Sequence, residues 1–320
     1  MSRFYELSLT PQGTTTPTRV FTSHPKGVYD PAALEIEYDA LVGPYGTPSG
    51  ASTVTLRGIS LKDLTQSQQF AGMTLELKAG MKAGLPLVNP AQAGTILKGQ
   101  IFQSYGNWEG VEQTLDFVVI PATFTIDNPG NFVLNWTAGT QLSTALQQTF
   151  SVAYPNMPVD MHISSDFVQN FDEIHVCGTL DQLAQAVSEI TEGVFDNPVT
   201  IGIQGGRVVV FDKTFLPTPI QLAFTDFVGQ PTWIAVNTIQ LKMVARADLV
   251  MGGMVRMPQG LQNLPGFVTT SSNSFPSTIK NQTTFQNNFI VSELRQIGSF
   301  RSADATQWVT IANCIMNPNG

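Results

Sequence analysis

The chain has 320 residues, enough for two or three domains that each bury a core. Its 42% apolar content is that of a globular protein, and no stretch approaches the roughly 18 to 20 uninterrupted apolar residues that cross a bilayer as a helix, so membrane embedding is not expected. A formal net charge of −8 and the lack of any basic run argue against gripping nucleic acid, because counterion release from phosphates needs Lys and Arg.

Charged residues are only 12% of the chain, against about 25% in ordinary soluble domains. Gln, Asn, Thr and Ser must carry the polar surface instead, which suits a chain that buries much of its surface against other subunits. The N-terminus, MSRFYELSLTPQG, alternates without a long apolar run or a small-residue cleavage site, so no secretory signal is expected and synthesis is placed in a cytosol. In that compartment Cys177 and Cys314, far apart and outside any CxxC, are expected as buried thiols.

Residues 1–122 read as strands. ALEIEYDAL sets Leu34, Ile36 and Tyr38 against Glu35, Glu37 and Asp39 with a period of two. After the turn-rich VGPYGTPSGAS come TVTLRGIS, MTLELKAGM, GLPLV, TILKGQIFQSYG and EQTLDFVVI. Short strands between Gly and Pro predict a small barrel or sandwich.

Residues 123–212 predict a small α+β module. In TAGTQLSTALQQTFSVAYP, Leu142, Ala145, Leu146, Phe150 and Ala153 recur at helical spacing until Pro155. In GTLDQLAQAVSEITEG, Leu180, Leu183, Ala184, Val187 and Ile190 form a second stripe, with a capping box at Thr179 and Gln182 and Gly193 placed as the C-terminal cap. VDMHIS, IHVC and the hairpin VTIGIQGGRVVVF supply strands.

Residues 213–320 return to strands, with IQLAFTDFVGQPTWIAVNTIQLKMVA, GGMVRM, a long polar loop over 259–288, and a closing pair of alternating segments, FIVSELRQIGSFRSADATQWVTIANCIM. That last pair predicts a surface hairpin with Arg301 and Asp304 exposed at the turn and Trp308 anchoring the re-entry. GQIFQSYGNWEGVEQTLDFVV has the same plan: an alternating strand reaches a glycine (Gly106, Gly298), crosses a polar insert and re-enters a strand (from Leu115, from Trp308). The two are read as a weak internal duplication of one barrel type.

The stretch RADLVMGGMVRMP, the loop, and NNFIVSELRQIGSFRSADATQWVT carry Asp248, Gly252, Val255, Pro258, Phe289, Val291, Gly298, Arg301, Trp308 and Thr310 in a line that resembles the closing barrel of baseplate hub proteins of contractile-tailed bacteriophages. Gln296 stands where that line often has a His. NFVLNWTAGTQLSTALQQTFSVAYP with TLDQLAQAV is similar to the module such hubs insert between barrels. The resemblance implies an α+β, mainly β chain: a first hub barrel over 1–122, an inserted module over 123–212 and a second hub barrel over 213–320.

It also implies a structural virion protein, not an enzyme. As a homotrimer it would present six similar barrels, adapting a six-fold tail tube to a three-fold central spike. Its partners would be the tube or tube-initiator protein, the spike and other baseplate proteins, with DNA a transient passenger and no membrane contact. The expected address is the tail baseplate of the virion, assembled in the host cytoplasm. The N-terminal part of type VI secretion spikes shares the fold, and a chain ending at the second barrel without a needle extension is expected to belong with the phage proteins.

Chemistry competes poorly. His162, His175 and Cys177 are the best metal candidates, 175 and 177 sharing one strand face, yet a zinc site wants four groups or three plus water. Ser164 or Ser165 with His162 and Asp166 could form a triad, without a nucleophile elbow. Gly202, Gly205 and Gly206 lead into VVVF, so a hairpin turn is expected rather than a phosphate cradle at a helix start. Glu35 with Glu37, and Asp172 with Glu173, are the carboxylate pairs a glycosidase could use, and Trp108, Trp136, Trp233 and Trp308 could stack on sugars but default to core packing. No catalytic, cofactor-binding or metal residue and no cofactor is therefore expected, and the alternative is a tail-associated cell-wall hydrolase or carbohydrate-binding module.

Overall fold

Alternation sets the strands. In a computed structural model that describes residues 3–46, 51–82, 92–121, 131–258 and 288–316, every second residue of β1 (Arg3–Thr10) is buried, Tyr5, Leu7 and Leu9 among them. β2 (Arg19–Thr22) follows, and β3 (Glu35–Val42) turns Ile36, Tyr38, Ala40 and Val42 inward. β4 (Ser52–Arg57) leads to a short helix α1 (Leu61–Thr65), where the Ser60 side chain caps the Asp63 N–H, and then to β5 (Thr74–Met81), β6 (Gly94–Glu109) and β7 (Glu112–Ile120).

The middle of the chain contains β8 (Phe132–Trp136), α2 (Leu142–Ala153), β9 (Val159–His162), β10 (Glu173–Cys177), α3 (Leu180–Phe195), β11 (Thr200–Gln204) and β12 (Arg207–Phe211). The two helices bury the stripes expected of them, except that Ile190 is partly buried and Thr191 is buried beside it. The end of α3 differs from expectation: the helix runs through Gly193 and is capped by Asp196 in the left-handed conformation. Asp tolerates that conformation because its short polar side chain bonds locally, and Gly193 has no special geometry that demanded glycine.

The rest comprises β13 (Ile220–Gln221), β14 (Thr232–Ala235), β15 (Thr238–Val244), β16 (Met254–Arg256), β17 (Asn288–Ser299) and β18 (Trp308–Met316). The expected strand GLPLV and, apart from Asn288, the expected loop over 259–288 lie outside the described residues. The protein is mainly β, and among the described residues no helix is long and apolar enough to cross a membrane.

The first and last β segments join into one sheet, in the order β14-β15-β18-β17-β3-β4-β7-β6-β5-β1-β2. The junction is antiparallel pairing of β17 with β3, from Leu294 opposite Val42 to Ser299 opposite Glu37. On either side of it the same order appears twice. One unit reads β3-β4-β7-β6 with β5 beyond β6; the other reads β14-β15-β18-β17 with β16 beyond β17. In each, the fourth strand in sequence, β6 or β17, has a bulge, at Ile101/Gln103 and at Val291/Glu293, and then reaches its glycine. These glycines are required by crowding: a Cβ on Gly106 would meet the Leu64 carbonyl oxygen at 2.8 Å, and one on Gly298 would enter the Tyr38 ring.

Three cores result, and two of them exchange residues. The first, around Tyr5, Ile36, Leu56 and Phe117, takes in Ala245, Phe300 and Trp308 from the end of the chain. The third, around Leu241, Val291 and Cys314, takes in Val42. The middle core, around Trp136, Leu146, Leu183 and Val210, is filled from residues 132–210. The strands of the closing hairpin therefore lie within the sheet, since β17 has strand neighbours on both edges, while its turn, with Arg301 and Asp304, is exposed as expected.

Candidate functional site: the polar face of the joined sheet

A period of two gives the eight central strands a second face, opposite the cores. Registers place on it Glu35, Glu37 and Asp39 of β3, Arg57 of β4, Glu109 of β6, Glu112 and Asp116 of β7, Lys242 of β15, and Glu293 and Arg295 of β17. Lys98 of β6 shares it, opposite Glu76, so seven carboxylates meet four cations and the face is acidic although the chain is poor in charge.

Cross-strand pairs tie this face together. Arg57 bridges Glu37 at 3.1 Å and Glu112 at 3.3 Å, Arg295 forks onto Asp39 at 2.8 and 2.6 Å across the β17–β3 junction, and Thr55 donates to Asp116 at 2.6 Å. The carboxylate hydrogen bonds hold both guanidinium groups above their ordinary pKa. Half-exposed pairs like these contribute about 0 to 1 kcal/mol each, so they fix geometry more than they stabilise. Two shallow hollows open on the face: one of about 310 Å³ around Asp39, Gln240, Glu293 and Arg295, and one of about 380 Å³ around Glu37, Thr55, Ser299 and Gln307.

The end of the face is clamped by the turn after β17. Arg301 offers its backbone N–H to Glu35 Oε2 at 2.7 Å and its guanidinium to the carbonyls of Pro31 and Ala33, while Glu35 Oε1 accepts from Ser299 at 2.9 Å. Burial raises the Glu35 pKa, and those two hydrogen bonds oppose the rise. Arg3 reaches the carbonyls of Ser299, Phe300 and Asp304 and lies 5.6 Å over the Trp308 ring. Arg301 is thus a tether between the two units, not a free residue at a turn, and Asp304 caps the turn through Thr306.

Beneath the junction lies a buried polar network. Arg246, 2% exposed, binds Asp248 through two nitrogens at 2.7 Å each and lies 3.3 Å from Asp226. Burial opposes its charge, but the two carboxylates outweigh that and hold its pKa above the ordinary arginine value. Thr310 accepts the Arg246 backbone N–H at 2.9 Å and donates to Gln296 Oε1 at 2.6 Å, while Gln296 donates to the Arg246 carbonyl at 3.1 Å. Asp248, Thr310 and Gln296, the position where the hub line often has a His, therefore meet on one arginine. Arg246 and Asp226 were missed by sequence reasoning; the only signal was an arginine two residues before Asp248.

The expected chemical candidates do not converge. His162 stacks on Phe215 at 4.2 Å, Ser164 Oγ accepts the Asp166 N–H at 3.1 Å, and Ser165 offers its carbonyl to Gln141. His175 lies 2.9 Å from Glu173, and Cys177 is buried on the same strand face. Among the described residues no three His, Cys, Asp or Glu side chains cluster as a metal site would need. Gly205 and Gly206 take positive φ in the β11–β12 turn, and Gly202 sits within β11 against the Met251 side chain. Asp172 caps the Ala138 N–H at 2.8 Å.

Of the tryptophans, Trp136 and Trp308 are buried and Trp233 packs partly buried on the third core. Trp108 departs from the core default: it is 59% exposed near the tip of the β6–β7 hairpin, where its indole N–H satisfies the Gly110 carbonyl at 2.9 Å. Cys177 and Cys314 are both buried free thiols.

No protein-family model and no curated protein matches the sequence. Solved structures do. A tail protein from Neisseria meningitidis MC58 superposes over 98% of this chain and 97% of its own with a TM-score of 0.51 at 10% identity. The 43 kDa tail protein of prophage MuSo2 from Shewanella oneidensis covers 99% and 97%, with a TM-score of 0.52 at 8% identity. An E. coli type VI secretion component, described as structurally similar to T4 bacteriophage tail proteins gp27 and gp5, covers 97% and 76%, with a TM-score of 0.50 at 8% identity. The fold is the one these tail proteins and the type VI secretion component share.

Proposed function

We propose that the chain is the subunit of a homotrimeric tail baseplate hub. The observation that carries this is the doubled strand order, β3-β4-β7-β6 and β14-β15-β18-β17, fused edge to edge at β3 and β17. One chain then offers two similar units, and three chains offer six, which is what joining a six-fold tube to a three-fold spike requires. The domain division into 1–122, 123–212 and 213–320 belongs to this proposal, with the Trp308 and Val42 exchange locking the outer two together.

In the ring the acidic sheet face lines the channel. Three copies carry about −24, three times the −8 of one chain, and an acidic lumen repels phosphate so that outgoing DNA slides rather than sticks. The partners are the tube or tube-initiator protein on one side, the central spike on the other and further baseplate proteins around the rim, in the tail baseplate of a virion.

A second reading, a cell-wall hydrolase or carbohydrate-binding module, is favoured only by exposed Trp108. Two measurements separate them. Sedimentation at the trimer mass with no turnover of peptidoglycan supports the hub; turnover abolished by one Glu or Asp substitution overturns it. The type VI neighbours share the architecture, so that reading would move the protein to a secretion spike without altering the ring.

A further inference from the structure

Two strands of the inserted module face water with apolar side chains. β8 buries Phe132, Leu134 and Trp136, and β10 turns Cys177 the same way, so alternation sends Val133, Ile174 and Val176 to the opposite face. Val133 and Val176 stand directly opposite in register and are 54% and 78% exposed, and Ile174 is 64% exposed. Beside them a groove of about 190 Å³ runs between the outward side chains of β8 (Asn131, Val133, Asn135) and the flank of α2 (Gln148, Val152), where Val152 is 78% exposed. A sheet with one face on a core ordinarily turns polar residues to water on the other, and clustered exposed apolar side chains mark a contact surface. β10 pairs with β8 on one side and α2 flanks it on the other, with Thr149 Oγ1 3.0 Å from the Val133 carbonyl, so the surface offers a grooved face rather than a free strand edge.

Charge identifies the occupant. Residues 131–212 carry nine carboxylates and one cationic side chain, Arg207, a net −8 (nine against one). Among the described residues, two of the nine have a basic side chain at ion-pair distance: Asp160 with Arg207 at 3.3 Å, and Glu173 with His175 at 2.9 Å. A field of that sign repels nucleic acid and anionic lipid headgroups and draws in Lys and Arg. The surface is therefore apolar at close range and acidic at long range, which suits a cationic protein segment.

We propose that the outer face of β8 and β10, with the groove beside α2, docks a basic amphipathic helix of a partner protein. Its apolar side chains lie over Val133, Ile174 and Val176 and enter the groove, and its Lys and Arg side chains turn to the surrounding carboxylates. The inference rests on the hub reading for its claim that the occupant is another protein of the assembly, and it assigns that contact to the inserted module instead of the joined sheet.

The test uses the full chain and two synthetic helices of about 18 residues, one with Leu on one face and Lys on the other, the second with Glu in place of Lys. Val176→Cys adds an exposed thiol to a chain whose own two thiols are buried. This thiol is expected to label rapidly in the free chain, and the Leu/Lys helix is expected to slow the labelling by about tenfold or more while the Leu/Glu helix leaves it unchanged. Affinity for the Leu/Lys helix should fall with added salt. It should fall about tenfold in the variant carrying Val133→Thr and Val176→Thr, which keeps the β-branched shape and exchanges one methyl for a hydroxyl at each position. Failure of the Leu/Lys helix to slow labelling, equal protection by both helices, or unchanged affinity in the threonine variant overturns the proposal. Slow labelling of the free chain overturns it as well, because another segment or a second copy then covers the face. Sedimentation of the same samples separates this from the hub reading: a trimer that binds neither helix loses the docking surface and keeps the hub, whereas a monomer that binds the Leu/Lys helix keeps the surface and loses the hub.

Discussion

The indole N–H of Trp308, at the start of the last strand, donates to the carbonyl of Gly80 at 3.1 Å, 228 residues earlier in the chain. With Phe300 and Ala245 it makes the end of the sequence part of the first core. The two units are therefore expected to unfold together rather than in separate steps. Trp308→Ala should cost about 3 to 5 kcal/mol by cavity formation, and Trp308→Phe less, about 1 to 3 kcal/mol, because the Gly80 carbonyl is left without its donor. Denaturant melts followed by circular dichroism and by hydrogen exchange of the β5 and β15 amides would check this; a first-unit transition insensitive to Trp308→Ala would contradict it.

The Arg246 network predicts a graded series. Thr310→Val removes the acceptor for a buried backbone N–H and the donor to Gln296, at about 1 to 3 kcal/mol. Asp248→Ala leaves a buried guanidinium with Asp226 alone, at about 3 kcal/mol. Replacing Arg246, Asp226 and Asp248 together by apolar residues of similar volume should cost less than Asp248→Ala by itself, since no charge is then stranded. Urea midpoints at constant m-value are the measurement.

Burial pushes the Cys314 thiol up to about 12 from an ordinary value of 9.0. The folded-state pKa is raised, so the contribution of this group is full below pH 9.0 and is lost as pH rises towards 12, where the unfolded chain ionises and the folded one does not. The stability difference between wild type and Cys314→Val should be flat below pH 9 and shift in favour of the variant above it. Native Cys314 and Cys177 should also resist a thiol reagent that labels both in denaturant; rapid labelling of the folded protein would contradict their burial.

An acidic channel face predicts that the wild-type protein has no measurable affinity for duplex DNA at physiological salt. Converting Glu37, Asp116 and Glu293 to Lys should create binding that weakens steeply with added salt, as counterion release demands. Electrophoretic mobility shifts at two salt concentrations would measure it, and wild-type binding of comparable strength would count against a repelling lumen.

Sequence periodicity carried much of this architecture and failed at identifiable points. β3, β7 and β15 alternate cleanly because one face of each is buried, and the stripes of α2 and α3 face a core, so each was legible. α1 is five residues long, too short to show a period. The β17–β3 junction could not be read, since nothing local to Leu294–Ser299 or Glu35–Val42 signals that they meet; the pairing depends on the chain returning some 250 residues later. The polar sheet face shared that fate. Glu35 and Glu37 looked like an ordinary solvated side, and only the registers reveal that they align with Glu112, Asp116 and Glu293. Trp108 misled because its alternation places it on the core face, while the hairpin carries it past the end of that core.

Imaging the purified protein by electron cryomicroscopy tests the central claim most directly. The account predicts a three-fold ring of three chains with six similar sheet units around an open hole, and with Glu37, Asp116 and Glu293 facing that hole. A monomer, a closed two-fold dimer, or a ring whose acidic sheet face points outward would contradict it.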